Sequence, residues 1–404
     1  MNYFRRMLRG SRAWPLAVPA LVALVACSKL EPAAPADDAV LDGPVLGLSG
    51  EEQVRHLAGD AAFADMFSSA TGLGPLFVST SCAGCHAGDG RGHPFSRLTR
   101  FGQSDASGNH YLDEGGPQLQ HRALPGYTPE EVPAGAPTAI FLPPPNTGLG
   151  YLDAVPDAAL LAMADPDDAD GDGISGVPNW IVPPAYIVHR ADAVEQNEHY
   201  IGRFGRKAAA YDLLHQTANA YVQDMGITSS YAPYDTYTGL ESDPEVSNNT
   251  VEAVVFYLRT LKAPIQRDRD DAQVIAGEQV FSAIGCSKCH VPELHTGPSP
   301  IAALSNAAFR PYSDLLLHDM GPGLDDGYTE GSALSAEWRT PALWGLGLSP
   351  AAQGGGYYLL HDGRATSIEQ AIELHGGEAQ HSRDAFIGLN STDRAALIRF
   401  LESL

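Results

Sequence analysis

The short stretch "SCAGCHAGDG", Ser81 to Gly90, places two cysteines three positions apart, with a histidine directly after the second. The same arrangement returns in "GCSKCHVPEL", Gly285 to Leu294. The chain of 404 residues has 5 cysteines, so these two sites use all but one of them. Any prediction of the fold and of the chemistry therefore begins from two C-x-x-C-H sites in one chain.

The cysteines of the two sites are Cys82, Cys85, Cys286 and Cys289. A C-x-x-C pair alone is compatible with a disulfide, a redox motif or half of a zinc site. The histidine after both pairs favours c-type haem, in which the thiols bond to the porphyrin and the imidazole binds the iron. We therefore expect two covalent haem c groups, with His86 and His290 as iron ligands.

The N-terminal segment has the pattern of an export signal. Residues 1–26 combine an arginine-rich start with an apolar run that is too short to span a bilayer comfortably. The run ends in "LVAC" (24–27), which resembles a bacterial lipoprotein box and predicts lipidation of Cys27; an ordinary cleaved signal peptide with a chance cysteine is the alternative. Ser28 then favours the outer membrane, on its periplasmic side. Residues 27–50 are rich in Pro, Ala and Asp and predict a flexible tether.

Charge and composition exclude one class of partner. The formal net charge is -24, and nucleic-acid binding requires a basic face. A basic protein partner or bound cations are the better expectation. The chain has 42 glycines and 30 prolines, which indicates many loops and short elements.

A weak internal repeat surrounds the two sites. "LFVSTSCAGCH" (76–86) parallels "VFSAIGCSKCH" (280–290), and 205–218 parallels 363–376. The second stretch has helical spacing up to its cysteines, so a helix that ends at each attachment loop is expected.

The repeat divides the folded part into two haem domains, 51–262 and 263–404. Both are expected to be mainly helical. Helices are predicted at 251–261, 367–375 and 392–404.

Several further segments together resemble the di-haem oxidoreductase branch of the bacterial di-haem cytochrome c peroxidase superfamily. They are "GLGYLDAVPDAALLAMADPDDADGDGISG" (148–176), "GRFGRKA" (202–208), "DMGITS" (224–229), "LLLHDMGPGLDDG" (315–327), "EWRTPALWGLG" (337–347) and "LLHDGRATSIEQAIELHGGEA" (359–379). The resemblance implies a mainly α fold of two cytochrome c-like haem domains, with long loops and few short strands. It implies reduction of hydrogen peroxide at the first haem, with electrons relayed by the second from a small donor protein such as a cytochrome c.

The resemblance also suggests which residues face the irons. By the spacing from an H-D-G motif (361–363), His375 is implied as the second ligand of the second haem, opposite His290; Met320 is the alternative. Gln216 and Asp224 are implied as the catalytic pair over the first haem. Histidines that could cap the first iron are His93, His110 and His121. Arginines that could pair with haem propionates are Arg91, Arg339 and Arg364.

An acidic, glycine-rich stretch predicts a calcium loop. In "DPDDADGDGISGVPN" (165–179), Asp168, Asp170 and Asp172 fall at positions 1, 3 and 5, and the carbonyl of Ile174 at position 7. Position 12 is an asparagine, so the loop is not a complete EF-hand. A solvated acidic turn is the alternative.

The sequence leaves two other functions open and disfavours a third. A di-haem electron-transfer cytochrome would carry six-coordinate irons at both sites and catalyse nothing. A related di-haem enzyme would use the same iron chemistry on another substrate. A structural or metal-trafficking lipoprotein is disfavoured, because both C-x-x-C-H sites are intact.

Overall fold

The computed structural model describes residues 35–105 and 108–404. The predicted signal peptide (1–26) and the lipidation site Cys27 lie outside the described residues. Within them the fold is mainly helical, with short strands, as the sequence predicts. No helix in this part of the chain is long and apolar enough to cross a membrane.

The α-helices are α1 (Gly50–Ala64), α2 (Cys82–Cys85), α3 (Leu149–Asp153), α4 (Asp157–Met163), α5 (Leu213–Met225), α6 (Asn248–Thr260), α7 (Ala272–Ala283), α8 (Ser349–Ala352), α9 (Ile368–Glu373), α10 (Gln380–Ile387) and α11 (Ser391–Ser403). The antiparallel strand pairs are β1 (Leu76–Phe77) with β5 (Arg122–Ala123), β2 (Leu98–Phe101) with β6 (Thr138–Phe141), β3 (Ser104–Asp105) with β4 (Gly108–Asn109), β10 (Leu294–His295) with β11 (Ala308–Phe309), and β12 (Leu317–Asp319) with β13 (Glu337–Arg339). A three-stranded sheet has the order β7 (Trp180–Ile181), β9 (His199–Ile201), β8 (Glu195–Gln196). The 3-10 turns include Ala87–Asp89, Pro94–Ser96, Cys286–Lys288 and Gly377–Ala379.

Two helix pairs form the framework, and each pair crosses at a glycine. Helix α1 packs against α6, and α7 packs against α11. A Cβ atom on Gly59 would lie 2.2 Å from the carbonyl oxygen of Ala253, and one on Gly277 would lie 2.0 Å from that of Ala396. Because only glycine permits backbones to approach so closely, these positions decide how the first and last helices of each half meet.

Side-chain caps determine where the long helices begin. The caps are Ser49 for α1, Ser247 for α6, Asp271 for α7 and Asn390 for α11. Each side-chain oxygen accepts a hydrogen bond from a backbone N–H of the first turn that has no partner within the helix. The helices predicted at 251–261 and 392–404 are therefore present, but begin slightly earlier, just after Ser247 and Asn390.

The structure changes the details of the internal repeat. Phe77 lies in strand β1, whereas its sequence counterpart Phe281 lies in helix α7. In space the counterpart of Phe281 is Phe63 of α1: the two rings lie 6.3 Å from the rings of His290 and His86, respectively. The expected helix leading into the first site ends earlier, because glycines and a proline interrupt the chain before the first cysteine pair.

The hydrophobic cores do not divide cleanly at residue 262. The smaller core lies wholly within residues 274–404. The larger core is built mostly from the first half but includes Leu294, Phe309 and Trp344 of the second. The two halves are therefore packed together, and the division into two haem domains stays a prediction.

The second part of the predicted flexible tether packs on the fold. Leu41, Val45 and Leu48 are buried, and the backbone N–H of Val45 donates to the carbonyl of Thr260 at 2.8 Å. These apolar residues bury surface next to α6, so the segment around them is attached to the folded part and is not a free linker.

Candidate functional site

The first C-x-x-C-H site is a single helical turn that borders a cavity. Ser81 caps α2 by accepting from the N–H of Gly84 at 3.1 Å, and the N–H of His86 donates to the carbonyl of Cys82 at 3.0 Å. Both cysteines and His86 line a cavity of about 200 Å³. By the same measure about 10–15 Å³ holds one water, so the cavity accommodates a large group. Burial lowers the pKa of His86 to about 4, which leaves a neutral imidazole, the form that ligates metals.

The second site repeats this arrangement. The N–H of His290 donates to the carbonyl of Cys286 at 3.0 Å, and its Nδ1 lies 2.9 Å from the carbonyl oxygen of Tyr312. That bond leaves Nε2 for a metal, in the second-shell pattern typical of ligating histidines. The cysteines and His290 line a cavity of about 190 Å³, and burial lowers the pKa of His290 to about 4.

The four thiols are unpaired in the structure, so neither site forms a disulfide. Burial raises the pKa of Cys82 and of Cys286 to about 12. Because redox cysteines act as free thiolates, this environment disfavours a redox motif.

A second histidine faces His290 in the second cavity. His375 lines the cavity directly after α9, and its Nδ1 lies 2.7 Å from the carbonyl oxygen of Ala371, which leaves its Nε2 available. Met320, the alternative ligand, lines the same cavity. Both candidates for the second iron ligand, His375 and Met320, are therefore within reach of a group bound there. The rest of the lining is mostly apolar.

In the first cavity, α5 contributes a carboxylate and an amide. Gln216 and Asp224 both line this cavity with His86. The backbone carbonyl of Asp224 accepts from the N–H groups of Val78 (2.7 Å) and Ser79 (3.0 Å), which ties the end of α5 to the chain leading into the cysteine pair. Burial raises the pKa of Asp224 to about 6, although the positive charge of a nearby arginine opposes that effect.

Corresponding positions in the two halves explain the difference. Helix α5 follows the cap Asp212 and an isolated bridge between residues 204 and 210; helix α9 follows the cap Ser367 and a bridge between 359 and 365. His375 follows its cap Ser367 by the same number of residues as Ala220 follows Asp212. Ala220 therefore occupies the position equivalent to His375, and it lines the first cavity. Alanine has no group that binds iron, so this position leaves the first cavity open.

The candidate caps of the first iron lie elsewhere. His93, His110 and His121 are absent from the lining of either cavity among the described residues. The Nδ1 atom of His93 instead accepts from the N–H of Phe95 at 3.2 Å at the start of a 3-10 turn.

Two arginines are shared by the cavities, and a third lies close to them. Arg206 and Arg339 line both, and Arg91 lines the second. The hydrogen bonds seen for them within the described residues go to backbone carbonyls, for example from Nε of Arg339 to Gly205 at 3.0 Å. Burial lowers the pKa of Arg91 and Arg339 to about 10, and burial together with these two neighbours lowers that of Arg206 well below its usual value. Buried positive charge of this kind requires an anionic partner.

Of the three predicted arginines, Arg91 and Arg339 line a cavity, and their pairing with propionates stays a prediction. Arg364 is exposed and pairs with Asp362, with Nε 2.6 Å from Oδ2, so it does not reach either cavity. Arg206 takes the third place, because residues 203–207 run through the interior between the cavities. The sequence signal that could have identified Arg206 is its place in the family-like motif "GRFGRKA" (202–208).

Two further cavity residues were missed by sequence analysis. Arg100 of β2 and Glu330 line the first cavity and form an ion pair there. Arg100 also donates from Nη1 to Oε1 of Gln223 at 2.9 Å. No local pattern connects positions so far apart in the chain, so only the folded structure reveals the pair.

A comparison with protein families decides the relationship. The family model described as "Di-haem oxidoreductase, putative peroxidase" matches residues 37–98 and 141–404. The chain belongs to this di-haem family. No curated protein matches the sequence. Hydrazine synthase of Kuenenia stuttgartiensis, in a crystal pressurised with 20 bar of xenon, matches with 15% identity over 100% of this chain and 99% of that chain, at a TM-score of 0.40. That score does not establish a common fold.

Membership of the di-haem family makes haem the expected cofactor, and the described residues fit it. Each cavity offers two thiols and a neutral imidazole on one wall. Arg206 and Arg339, which line both cavities, supply positive charge that would pair with the propionates of the two haems. In the second cavity His375 adds a further nitrogen ligand to the set.

The acidic loop of this di-haem protein gathers a different set of carboxylates from the one predicted. The predicted calcium ligands are Asp168, Asp170, Asp172 and the carbonyl of Ile174. In the structure, oxygens of Asp165, Asp168 and Asp170 lie within 4.8 Å of one another. Asp172 turns away to Lys288, whose Nζ lies 2.7 Å from Oδ2, and Ile174 lines the second cavity. The opposite charge of Lys288, inside the second C-x-x-C-H motif, draws Asp172 out of the cluster.

A buried histidine links this loop to the second cavity. Nε2 of His318 lies 2.8 Å from Asp314 and Nδ1 lies 2.6 Å from Glu378. Glu378 also accepts from the hydroxyl of Ser175 at 2.6 Å. Burial by itself lowers the pKa of His318, but its bonds to Asp314, Cys289 and Glu378 raise it to about 12. His318 is therefore a charged imidazolium clamped between two carboxylates.

Proposed function

We propose that this di-haem oxidoreductase reduces hydrogen peroxide at the first cavity, with electrons relayed through the second from an external donor. The observation that carries the proposal is a difference between the residues that line the two cavities beside the motif histidines His86 and His290. Asp224 and Gln216 line the first cavity, where Ala220 occupies the position that His375 has in the second. The proposal includes two haem c groups, bonded to Cys82 and Cys85 and to Cys286 and Cys289.

Each residue of the first cavity then has a defined task. Bound haem would supply an iron that binds peroxide and passes it electrons. Peroxide takes up two electrons and two protons as its O–O bond breaks and two waters form. The Asp224 carboxylate accepts the proton from the near oxygen and returns it to the leaving oxygen. The Gln216 amide donates a hydrogen bond that holds the peroxide in place.

The second cavity suits electron relay better than catalysis. His290 and His375 would both hold the iron of a haem bound there, and such a haem would supply electron transfer. The arginines between the cavities, Arg206 and Arg339, would pair with propionates of both groups and keep them close. The proposal thus assigns reaction and relay to different halves of the chain.

The first experiment is electronic and EPR spectroscopy of the oxidised and the half-reduced protein, each before and after addition of hydrogen peroxide. The proposal expects one haem that is high-spin, or becomes so on half-reduction, and that reacts rapidly with peroxide. Two low-spin haems that ignore peroxide in both states would make the protein an electron-transfer cytochrome. Rapid reaction with slow turnover would direct attention to a related di-haem activity on another substrate.

Replacement of Asp224 tests the role of the carboxylate. Asp224→Asn should keep both haems and lower turnover by a factor on the order of 10² to 10⁴, the usual contribution of a general base. Because the pKa of Asp224 is about 6, wild-type activity should fall as the pH drops through about 6, and the variant should lack this limb. Asp192→Asn, at an exposed position remote from both cavities, is the control. Unchanged turnover in Asp224→Asn would reject the assignment.

Location and partners belong to the same proposal. The lipoprotein box supports a lipid anchor at Cys27, on the periplasmic side of the outer membrane. The net charge of -24 supports docking of a basic donor such as a small cytochrome c. Cys27→Ser should release the protein from the membrane fraction, and donor oxidation should slow as the salt concentration rises.

Calcium at the acidic loop is the last part of the proposal. Asp165, Asp168 and Asp170 offer the hard oxygen ligands that Ca²⁺ prefers. Calorimetric titration with Ca²⁺ should show one site that Asp168→Asn removes. Equal heats for both proteins would leave the loop as a solvated acidic turn.

A further inference from the structure

The segment 99–140 is left unmatched by the family model, yet it forms part of the wall of the first cavity. Strands β2 and β6 pair at its two ends, in register from Leu98 with Phe141 to Phe101 with Thr138. Arg100 projects from β2 into the lining. The segment is thus an addition to the family pattern that reaches the reactive site.

The same segment is fastened to the element that carries Asp224. Nε2 of Gln120 donates to the carbonyl of Val222 at 3.1 Å and to that of Gln223 at 3.0 Å, in the last turn of α5. Strand β5 of the segment pairs with β1 just before the first cysteine pair. These contacts hold the segment in a defined position against both α5 and the attachment site.

Arg100 is itself held firmly. Its guanidinium forms the ion pair with Glu330 and donates to Gln223, the neighbour of Asp224 in the chain. Both partners of the ion pair are largely buried, with side chains 15% and 14% exposed. Although burial opposes it, the Glu330 carboxylate raises the pKa of Arg100, so the arginine stays charged.

We propose that Arg100, delivered by the segment 99–140, is a positioning residue that holds Asp224 in its proton-accepting form in the first cavity. The inference rests on the proposed function, in which Asp224 accepts a proton from peroxide. It adds that this chain tunes the reaction through a segment outside the family pattern, and that Glu330 moderates the effect of Arg100.

The charges around Asp224 support this role. The ionisable groups nearest to it on α2 are the thiols of Cys82 and Cys85, which stay neutral because burial raises the pKa of each. Burial raises the pKa of Asp224, and Arg100 is the group that opposes the rise. The other ionisable groups of the cavity wall are Arg206, Arg339, Glu330, His86 and Tyr221. Without Arg100, the buried carboxyl would hold its proton at neutral pH and could not act as a base.

The test measures the titration midpoint of Asp224 directly in the haem-loaded protein. The carboxyl C=O stretch in infrared difference spectra is assigned to Asp224 by its loss in Asp224→Asn. In Arg100→Gln the midpoint should rise by about one pH unit or more, and the acid limb of peroxide turnover should move with it. In Glu330→Gln, where Arg100 loses its counter-charge, the midpoint should fall.

Two controls make the result specific. Arg100→Lys keeps the charge and should restore a midpoint close to wild type. Arg97→Gln removes an exposed arginine whose Nε bonds to the carbonyl of Pro94, and it should leave the midpoint unchanged. An unmoved midpoint in Arg100→Gln with full haem content, or an equal shift in Arg97→Gln, would overturn the inference. Because the infrared midpoint needs no turnover, a protein inactive towards peroxide would still decide the role of Arg100.

Discussion

The two cavities begin from the same C-x-x-C-H motif and differ in the other residues that line them. The cavity of His290 is also lined by a second histidine, His375, in a mostly apolar surrounding. The cavity of His86 is lined by Ala220, Asp224 and Gln216. The difference arises in equivalent capped helices, so small changes at corresponding positions give the two cavities different chemistry.

The comparison teaches that the attachment motif does not assign the task of a haem site. Both motif histidines have pKa values lowered to about 4 by burial, and both sets of thiols are protonated and unpaired. The nearest walls of the cavities are thus chemically alike. The other lining residues, which lie far from the motif in the sequence, make the cavities different.

The largest effect is expected on the reduction potential of the second haem when His375, its proposed second ligand, is replaced. His375→Met should raise the reduction potential of the second haem, because methionine favours the reduced iron. The shift should be a substantial part of the roughly 0.8 V over which axial ligands set haem potentials. Potentiometric titration measures it, and His381→Met, at an exposed position of α10, is the control. An unchanged potential and spectrum would transfer the ligand role to Met320.

A smaller effect is expected from the clamped imidazolium beside the second cavity, which has no counterpart at the first. His318→Gln leaves Asp314 and Glu378 facing each other and should lower the free energy of unfolding by about 3–5 kcal/mol at pH 7. The folded-state pKa of His318 is about 12, above the unfolded value of about 6.5. Its stabilisation is therefore complete below about pH 6.5 and is lost as the pH rises towards 12, by about 1.4 kcal/mol per pH unit.

Denaturant unfolding at pH 7, 8 and 9 checks this sign. The gap between wild type and His318→Gln should narrow as the pH rises. His295→Gln, which alters an exposed histidine near Glu293, should show no such trend. A gap that stays constant over this range would mean that the imidazole is neutral in the folded protein.

The smallest effect is expected at the ion pair between the acidic loop and the second motif. The Lys288 and Asp172 side chains are 46% and 28% exposed, so water screens their attraction. Lys288→Ala should change the free energy of unfolding by less than about 1 kcal/mol. A double-mutant cycle with Asp172→Ala isolates the pair. A coupling well above that value would show that the loop and the second motif act as one unit.

Local motifs and the family resemblance together pointed to a good part of the cavity lining in advance. The four cysteines and two motif histidines line two cavities, and Gln216, Asp224 and His375 lie in the expected ones. Other predictions failed where a distant partner intervened. Asp172 left the carboxylate cluster for Lys288, and Arg364 stayed at the surface with Asp362. A charge pairs with whatever lies nearest in space, which spacing along the chain does not reveal.

The sequence by itself predicted two haem sites, because C-x-x-C-H places thiols and imidazole on one turn through local geometry alone. It also determined the helical framework, through caps such as Ser247 and Asn390 and the apolar spacing that follows them. Only the tertiary structure decided that Arg100, Glu330 and Asp224 share one cavity and that Arg206 and Arg339 line both. The physical reason is that burial and long-range packing bring these charges together, and their effect depends on distances that the linear chain does not contain.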